Sequence, residues 1–203
     1  MKLLIAVPTM YDVQIEFVKS LMALTRRLDR EGVDFDVKFR VGTLVYMARD
    51  NFVLDALNGK YTHVLWLDSD MVFDDDIVEK LTEPKRPFVT GLAHTRRYPY
   101  ESCIFTSLDP YVRPDDIPDE PFEVEACGFA CVFIDTRIMT HVMFKHFCCF
   151  SPNGSEGEDI AFCKRAKALG YHIWCQPSVK LGHVGQMTVW PDNAAKLREV
   201  LID

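Results

Sequence analysis

The chain has 203 residues, of which 48% are hydrophobic and 26% charged, with a formal net charge of −7. That length suits one well-buried domain and is marginal for two, and the composition is that of a globular protein, far from disordered or fibrous chains. The acidic balance argues against a non-specific nucleic-acid binder, which needs a basic surface, but allows an anionic substrate held through a metal ion.

The first stretch, "MKLLIAVPTM", is too short and too soon interrupted by Pro8 for a signal peptide, and lacks a small-residue cleavage site. It reads as a first core strand, over residues 2–7. From Val13 to Arg30, Phe17, Leu21, Leu24 and Leu28 recur at helical spacing. "DVKFRV" (36–41) predicts a second strand. "YMARDNFVLDALNG" predicts a helix with Phe52 and Ala56 on one face, ended by Gly59 as a C-cap. "THVLWL" (62–67) is the third strand, followed by a short helix over Ile77–Leu81 and a strand at 87–93. The proline-rich, acidic stretch 107–121 reads as a long loop, of the kind that is usually functional. "FACVFID" (129–135) predicts another strand and then a helix to about Phe147. "DIAFCKRAKALG" (159–170) predicts a helix burying Ile160, Cys163, Ala166 and Leu169, with Gly170 as its stop. A late strand at 172–176 and a closing helix from Asp192 complete the chain. Alternating apolar strands and amphipathic helices imply an α/β fold with a mostly parallel sheet covered on both faces.

No apolar run approaches the roughly 20 residues of a membrane span, so a cytoplasmic protein without a membrane span is expected. Seven cysteines (Cys103, Cys127, Cys131, Cys148, Cys149, Cys163 and Cys175) form no CxxC pair. They read as buried thiols, with disulfide pairing reserved for a hyperthermophilic host.

The acids carry the chemistry. "THVLWLDSDMVFDDD" holds five aspartates within nine positions, directly after a buried strand. In open α/β sheets ligands collect at the carboxyl ends of the strands. If strand geometry persists, Asp68 and Asp70 point to the same side and offer oxygen ligands to Mg²⁺ or Mn²⁺ with positions left for phosphate. Asp74 to Asp76 read instead as helix-cap and first-turn acids. In "SEGEDIAFC", Ser155 and Glu158 match a capping box. That leaves Asp159 free to face a cleft as a general base, a weak one unless burial or a neighbouring acid offsets the helix dipole. His183, between two glycines in "LGHVG", can approach a ligand closely; the plainer reading is a surface loop histidine.

The order of these motifs resembles a GT-A fold nucleotide-diphospho-sugar glycosyltransferase close to the family 2 type, reduced to a small stand-alone catalytic core. The pieces that carry the likeness are "IAVPT", "ARDNFVLDAL", "HVLWLDSDM" with its DxD, "VTGLAHTRRYP", "CGFACVFID", "GEDIAFCKRAKALGYHIW" and "VKLGHVG". They cover about residues 2 to 186. A DxD, an ED pair about 90 residues on and a histidine about 25 later form a far more specific set than the DxD alone.

The resemblance implies one three-layer α/β/α catalytic domain over residues 1–203, with a nucleotide-binding half to about 100 and an acceptor-binding half beyond. It implies metal-dependent hexosyl transfer from a UDP- or GDP-sugar to an acceptor hydroxyl on a glycan, lipid or protein, with inversion. Asp70, His183 and Asp68 would hold Mn²⁺ or Mg²⁺, and Asp159, beside Glu158, would be the catalytic base. Thr9, Tyr11 and Arg49 would join Asp68 and Asp70 in binding the nucleotide sugar, with Arg96 and Arg97 as further diphosphate or acceptor contacts. Small cores of this kind suit a virus or a compact bacterial gene cluster. Two alternatives stand beside it. A haloacid-dehalogenase-type phosphatase would use Asp68 as nucleophile, but carries its DxD on the first strand and needs a lysine. A non-catalytic nucleotide-sugar-binding module would share the fold without turnover.

Overall fold

The computed structural model describes residues 1–185 and 189–193. The chain opens with β1 (Lys2–Thr9), passes through α1 (Ile15–Arg30) to β2 (Asp34–Val41), and returns through α2 (Val45–Asn58) to β3 (His63–Leu67). A two-residue β4 (Met71–Val72) and α3 (Ile77–Thr82) lead to β5 (Phe88–Leu92). Short strands follow: β6 (Ile104–Phe105), β7 (Ser107–Leu108), β8 (Tyr111–Val112), β9 (Phe122–Val124) and β10 (Ala126–Cys127). Then come β11 (Cys131–Asp135), α4 (Thr136–His146), α5 (Glu158–Ala168), β12 (Ile173–Lys180) and β13 (Gly182–His183).

Seven strands form one sheet in the order β2-β1-β3-β11-β5-β12-β9. β1 pairs in parallel with both β2 and β3, and β5 with β12, whereas β11 and the edge strand β9 run antiparallel to their neighbours. The sheet is therefore mostly parallel. β11, from the second half of the chain, lies between β3 and β5 of the first.

Side-chain alternation along the strands builds the two outer layers. Leu3, Ile5, Leu65 and Leu67 face one side, where they bury Phe17, Leu21, Leu24 and Leu28 of α1 and Ile77, Val78 and Leu81 of α3. Leu4, Ala6, Val64 and Trp66 face the other, against Phe52 and Ala56 of α2, Ile138 and Val142 of α4, and Phe162 and Ala166 of α5. Full burial on both faces accounts for the continuous apolar runs of β1 and β3.

Several local expectations change. Gly59 closes α2 with an ordinary φ of −78°, and the left-handed residue is Lys60, at φ 55°. Glycine is needed because an added Cβ would lie 2.3 Å from the Tyr61 ring. The Ser155–Glu158 capping box does not form: Gly157 is the N-cap of α5, with no side-chain cap. Part of the expected 107–121 loop folds as the β7–β8 hairpin. Asp76 does occupy the N-cap of α3 but caps no backbone N–H; it pairs with Lys80 at 2.9 Å, and Asp75 with Arg27 at 3.1 Å. Beyond Asn193 the expected closing helix lies outside the described residues. All seven cysteines are free thiols, five of them buried. No helix among the described residues is long and apolar enough to cross a membrane.

Candidate functional site

At the carboxyl ends of β1 and β3 lies a cleft of about 620 Å³. Its lining includes Thr9, Tyr11, Arg49, Asp68, Asp70, Glu158, Asp159 and His183, which come from segments far apart in sequence. Arg96 lines it too, whereas Arg97 does not.

The DxD reaches the cleft by a turn rather than by strand alternation. β3 stops at Leu67, the Asp68 amide bonds the Ala130 carbonyl at 3.1 Å, and the Met71 amide bonds back to the Asp68 carbonyl at 3.2 Å. The chain then enters β4, whose antiparallel partner is β13, with His183 opposite Met71. The Val184 amide also donates to the Asp70 carbonyl at 2.8 Å. This small ladder brings the His183 imidazole to Asp70 across 113 residues of sequence, with Nε2 3.3 Å from Oδ2.

The His183 tautomer follows from its other nitrogen. Nδ1 lies 2.9 Å from the His94 carbonyl, an acceptor only, so Nδ1 donates. In the neutral ring Nε2 then presents a lone pair toward Asp70, the orientation in which a ligating histidine is held by its second nitrogen. Asp70 also accepts from Arg96 Nη1 at 2.5 Å. Burial pushes the Asp70 carboxyl up, but with no metal between them the imidazolium form of His183, which donates from Nε2, outweighs it together with Arg96 and holds the pKa below the usual aspartate value.

Arg49, in the first half of α2, is only 3% exposed. Its Nη2 lies 3.1 Å from Asp68 Oδ1, its Nη1 bonds Glu158, and its guanidinium lies 5.1 Å over the Phe129 ring. Glu158 therefore serves as a half-buried counter-charge to Arg49 and not as half of a capping box. Loss of hydration raises the Asp68 pKa to about 6 against the opposing pull of Arg49, with Asp70 adding to the rise. Asp159 is likewise raised, first by burial, with Arg49 opposing and Glu158 assisting. The helix dipole expected to weaken Asp159 as a base is thus overcome. Its Oδ1 accepts from the Ile160 amide at 2.8 Å, and its Oδ2 lies 3.7 Å from where a Cβ on Gly128 would stand.

The Thr9 hydroxyl is spent on the Asp12 carbonyl at 2.6 Å, which shapes the loop after β1, while the Tyr11 ring stands open at the cleft mouth. Cys103 lines the cleft as a neutral thiol, its pKa pushed up to about 12 by burial. Sequence reasoning missed Cys103 and Gln14 as lining residues, and no local pattern marks them.

Among the described residues, no three His, Cys, Asp or Glu side chains form a ready-made metal cluster. Asp70 and His183 supply one oxygen and one nitrogen side by side. Such a set fits a six-coordinate Mn²⁺ or Mg²⁺ that takes its remaining ligands from water and substrate phosphates.

The chain matches no protein-family model and no curated protein. Among solved structures it is similar to A197 from STIV, with a TM-score of 0.64 at 20% identity over 95% of this chain and 91% of that one. It is also similar to a UDP-glucose pyrophosphorylase complexed with UDP-glucose, with a TM-score of 0.54 at 8% identity over 90% and 92% of the two chains. At such identities the likeness speaks for the fold: the chain has a three-layer α/β/α fold of the nucleotide-diphospho-sugar transferase kind.

Proposed function

We propose that the protein is a metal-dependent glycosyltransferase that moves a sugar from a UDP- or GDP-sugar to an acceptor hydroxyl with inversion. The observation that carries this reading is the convergence of Asp68, Asp70, His183 and Asp159 on one cleft at the carboxyl ends of parallel strands. The UDP-glucose held by the pyrophosphorylase of similar fold is a donor of the proposed class.

Each residue has a role that its surroundings favour. Asp70 and His183 would hold the metal, with Asp68 as a further oxygen ligand or a contact to the donor. When bound, the metal neutralises charge on the leaving diphosphate. Arg96, half-exposed at the cleft edge, is placed to exchange its bond to Asp70 for one to the diphosphate. Asp159 accepts the proton of the incoming hydroxyl, a task for which a raised pKa makes it a stronger base. Tyr11, open at the mouth, would cover the nucleotide base. The phosphatase alternative is less well supported: the cations lining the cleft are arginines, Arg49 and Arg96, where that chemistry needs a lysine.

Turnover of a panel of UDP- and GDP-sugars, compared between wild type and Asp159→Asn, tests the assignment. Transfer or slow donor hydrolysis should fall about 10²- to 10⁴-fold in the variant while nucleotide affinity is kept. Equal rates in the two proteins would remove Asp159 from the mechanism.

A further inference from the structure

The main sheet ends on β2, whose outer edge pairs with no other strand among the described residues. On its inner side β2 follows β1 in unbroken parallel register from Asp34 to Val41. The strand, DFDVKFRV, holds no proline. Such an edge presents a row of backbone N–H and C=O groups to a further strand, and proteins usually blunt it with a bulge, a proline or charged side chains. Here only charges are present, so their order decides which strand fits.

Alternation sorts the side chains of β2 onto two faces. Phe35 and Val37 pack on the α1 side of the sheet. On the other side Asp36 accepts from the Tyr61 hydroxyl, and the Arg40 guanidinium lies 5.3 Å over the Phe52 ring. The apolar row is not fully covered: Phe39 is 44% exposed and Val41 62%. The charged row runs Asp34, Asp36, Lys38, Arg40, two acids and then two bases. Lys38 and Arg40 share a single carboxylate, Asp55, at 3.8 and 2.7 Å, which leaves positive charge over. The Tyr61 hydroxyl is a neutral donor, so the negative charge of Asp36 also remains available.

We infer that β2 is the interface of a symmetric homodimer, in which the edge strands of two copies pair antiparallel about a two-fold axis at Val37. A two-fold axis perpendicular to the sheet keeps each face on its own side and brings the same patch of both copies together. With Val37 against its own copy, Asp36 stands opposite Lys38, Asp34 opposite Arg40 and Phe35 opposite Phe39, each twice per dimer. Every charged pair is then attractive, and the open Phe39 ring gains an aromatic partner. The neighbouring registers are repelled: centring on Asp36 sets that acid against itself, and centring on Lys38 sets two ammonium groups together. The order acid, acid, base, base therefore selects a second copy of this chain in one register, a match that a strand of unrelated sequence does not share. Because the paired strands run in opposite directions, the carboxyl ends of the two sheets point apart and both clefts stay open. Dimerisation of this kind is independent of the transferase reading.

Sedimentation equilibrium of the full chain over a range of concentrations tests this. The wild type is expected to show a reversible monomer–dimer equilibrium that weakens as salt is raised. Asp36→Lys sets cations together at both symmetry-related pairs, and Lys38→Asp sets acids together there. Each variant alone should therefore dimerise at least about tenfold more weakly. Mixed in equal amounts, the two should recover the dimer, because both cross-strand pairs then join opposite charges, and that recovery also shows that both are folded. Should either fail to fold, Asp34→Lys, at an exposed position, sets a second cation against Arg40 and carries the same expectation of weaker pairing. A wild type that stays monomeric throughout, a dimer indifferent to these substitutions, or a mixture as weak as its parts would overturn the inference.

Discussion

Arg49 Nη2 lies 3.1 Å from Asp68 Oδ1, and the same guanidinium holds Glu158, so one buried cation ties the DxD turn to the start of α5. Removing it strands two carboxylates in a cleft that already disfavours charge. Breaking one side of a buried pair costs about 3 kcal/mol, and less where a partner reaches solvent as Asp68 does. Arg49→Met is expected to lower the urea midpoint accordingly. Arg49→Lys should recover only part of the loss, because an ammonium cannot span both acids as a planar fork does. Full recovery by lysine would show that charge alone matters.

In the proposed mechanism Asp159 would set the acid limb of the rate profile. The base must be ionised to accept a proton, and burial raises its pKa. The rate should therefore rise with pH through a value above the usual range for an aspartate. Arg49 opposes that rise, so in Arg49→Met the limb should move to still higher pH. A limb that stays in place would uncouple the two residues.

A methyl group at Gly157 would lie 2.9 Å from Asp159 Oδ1, closer than packing allows. The short carboxylate must then move. Gly157→Ala is expected to reduce turnover by about tenfold or more, since misplacement on the ångström scale is costly, with nucleotide affinity and thermal midpoint almost unchanged. Unaltered turnover would mean that the position of Asp159 is not critical.

Away from the cleft, Asp135 caps α4, accepting from the Arg137 amide at 2.8 Å and from its guanidinium. Burial pushes its carboxyl up, but these bonds outweigh it and depress the pKa. A depressed folded-state pKa gives stability that is present above the unfolded value and lost as pH falls through the folded one. Asp135→Ala should cost about 1 kcal/mol at neutral pH, with the gap to wild type closing in strongly acidic urea melts. A gap independent of pH would assign the loss to packing.

The sequence showed most of the fold because burial on both sides of the sheet writes itself as unbroken apolar runs, as in β1 and β3, and burial on one side as the periodicity of α1. Asp68, Asp70, Glu158 and Asp159 could be singled out because carboxylates next to apolar runs need a reason. What places them could not be read. The β4–β13 ladder that delivers His183 to Asp70 is two residues long on each strand, too short to leave a pattern. The capping-box reading of Glu158 failed because a buried arginine, distant in sequence, outcompeted a local backbone bond. Arg49 itself resembled a free phosphate ligand, since nothing near it in sequence reveals its two acidic partners.

The most direct test is calorimetric titration of UDP and GDP, with and without Mn²⁺, into wild type and Asp70→Ala. The expected result is binding of at least one nucleotide that depends on the metal and disappears in the variant. If neither nucleotide binds in the presence of Mn²⁺, or if binding ignores both the metal and Asp70, the cleft is not a metal-dependent nucleotide-sugar site.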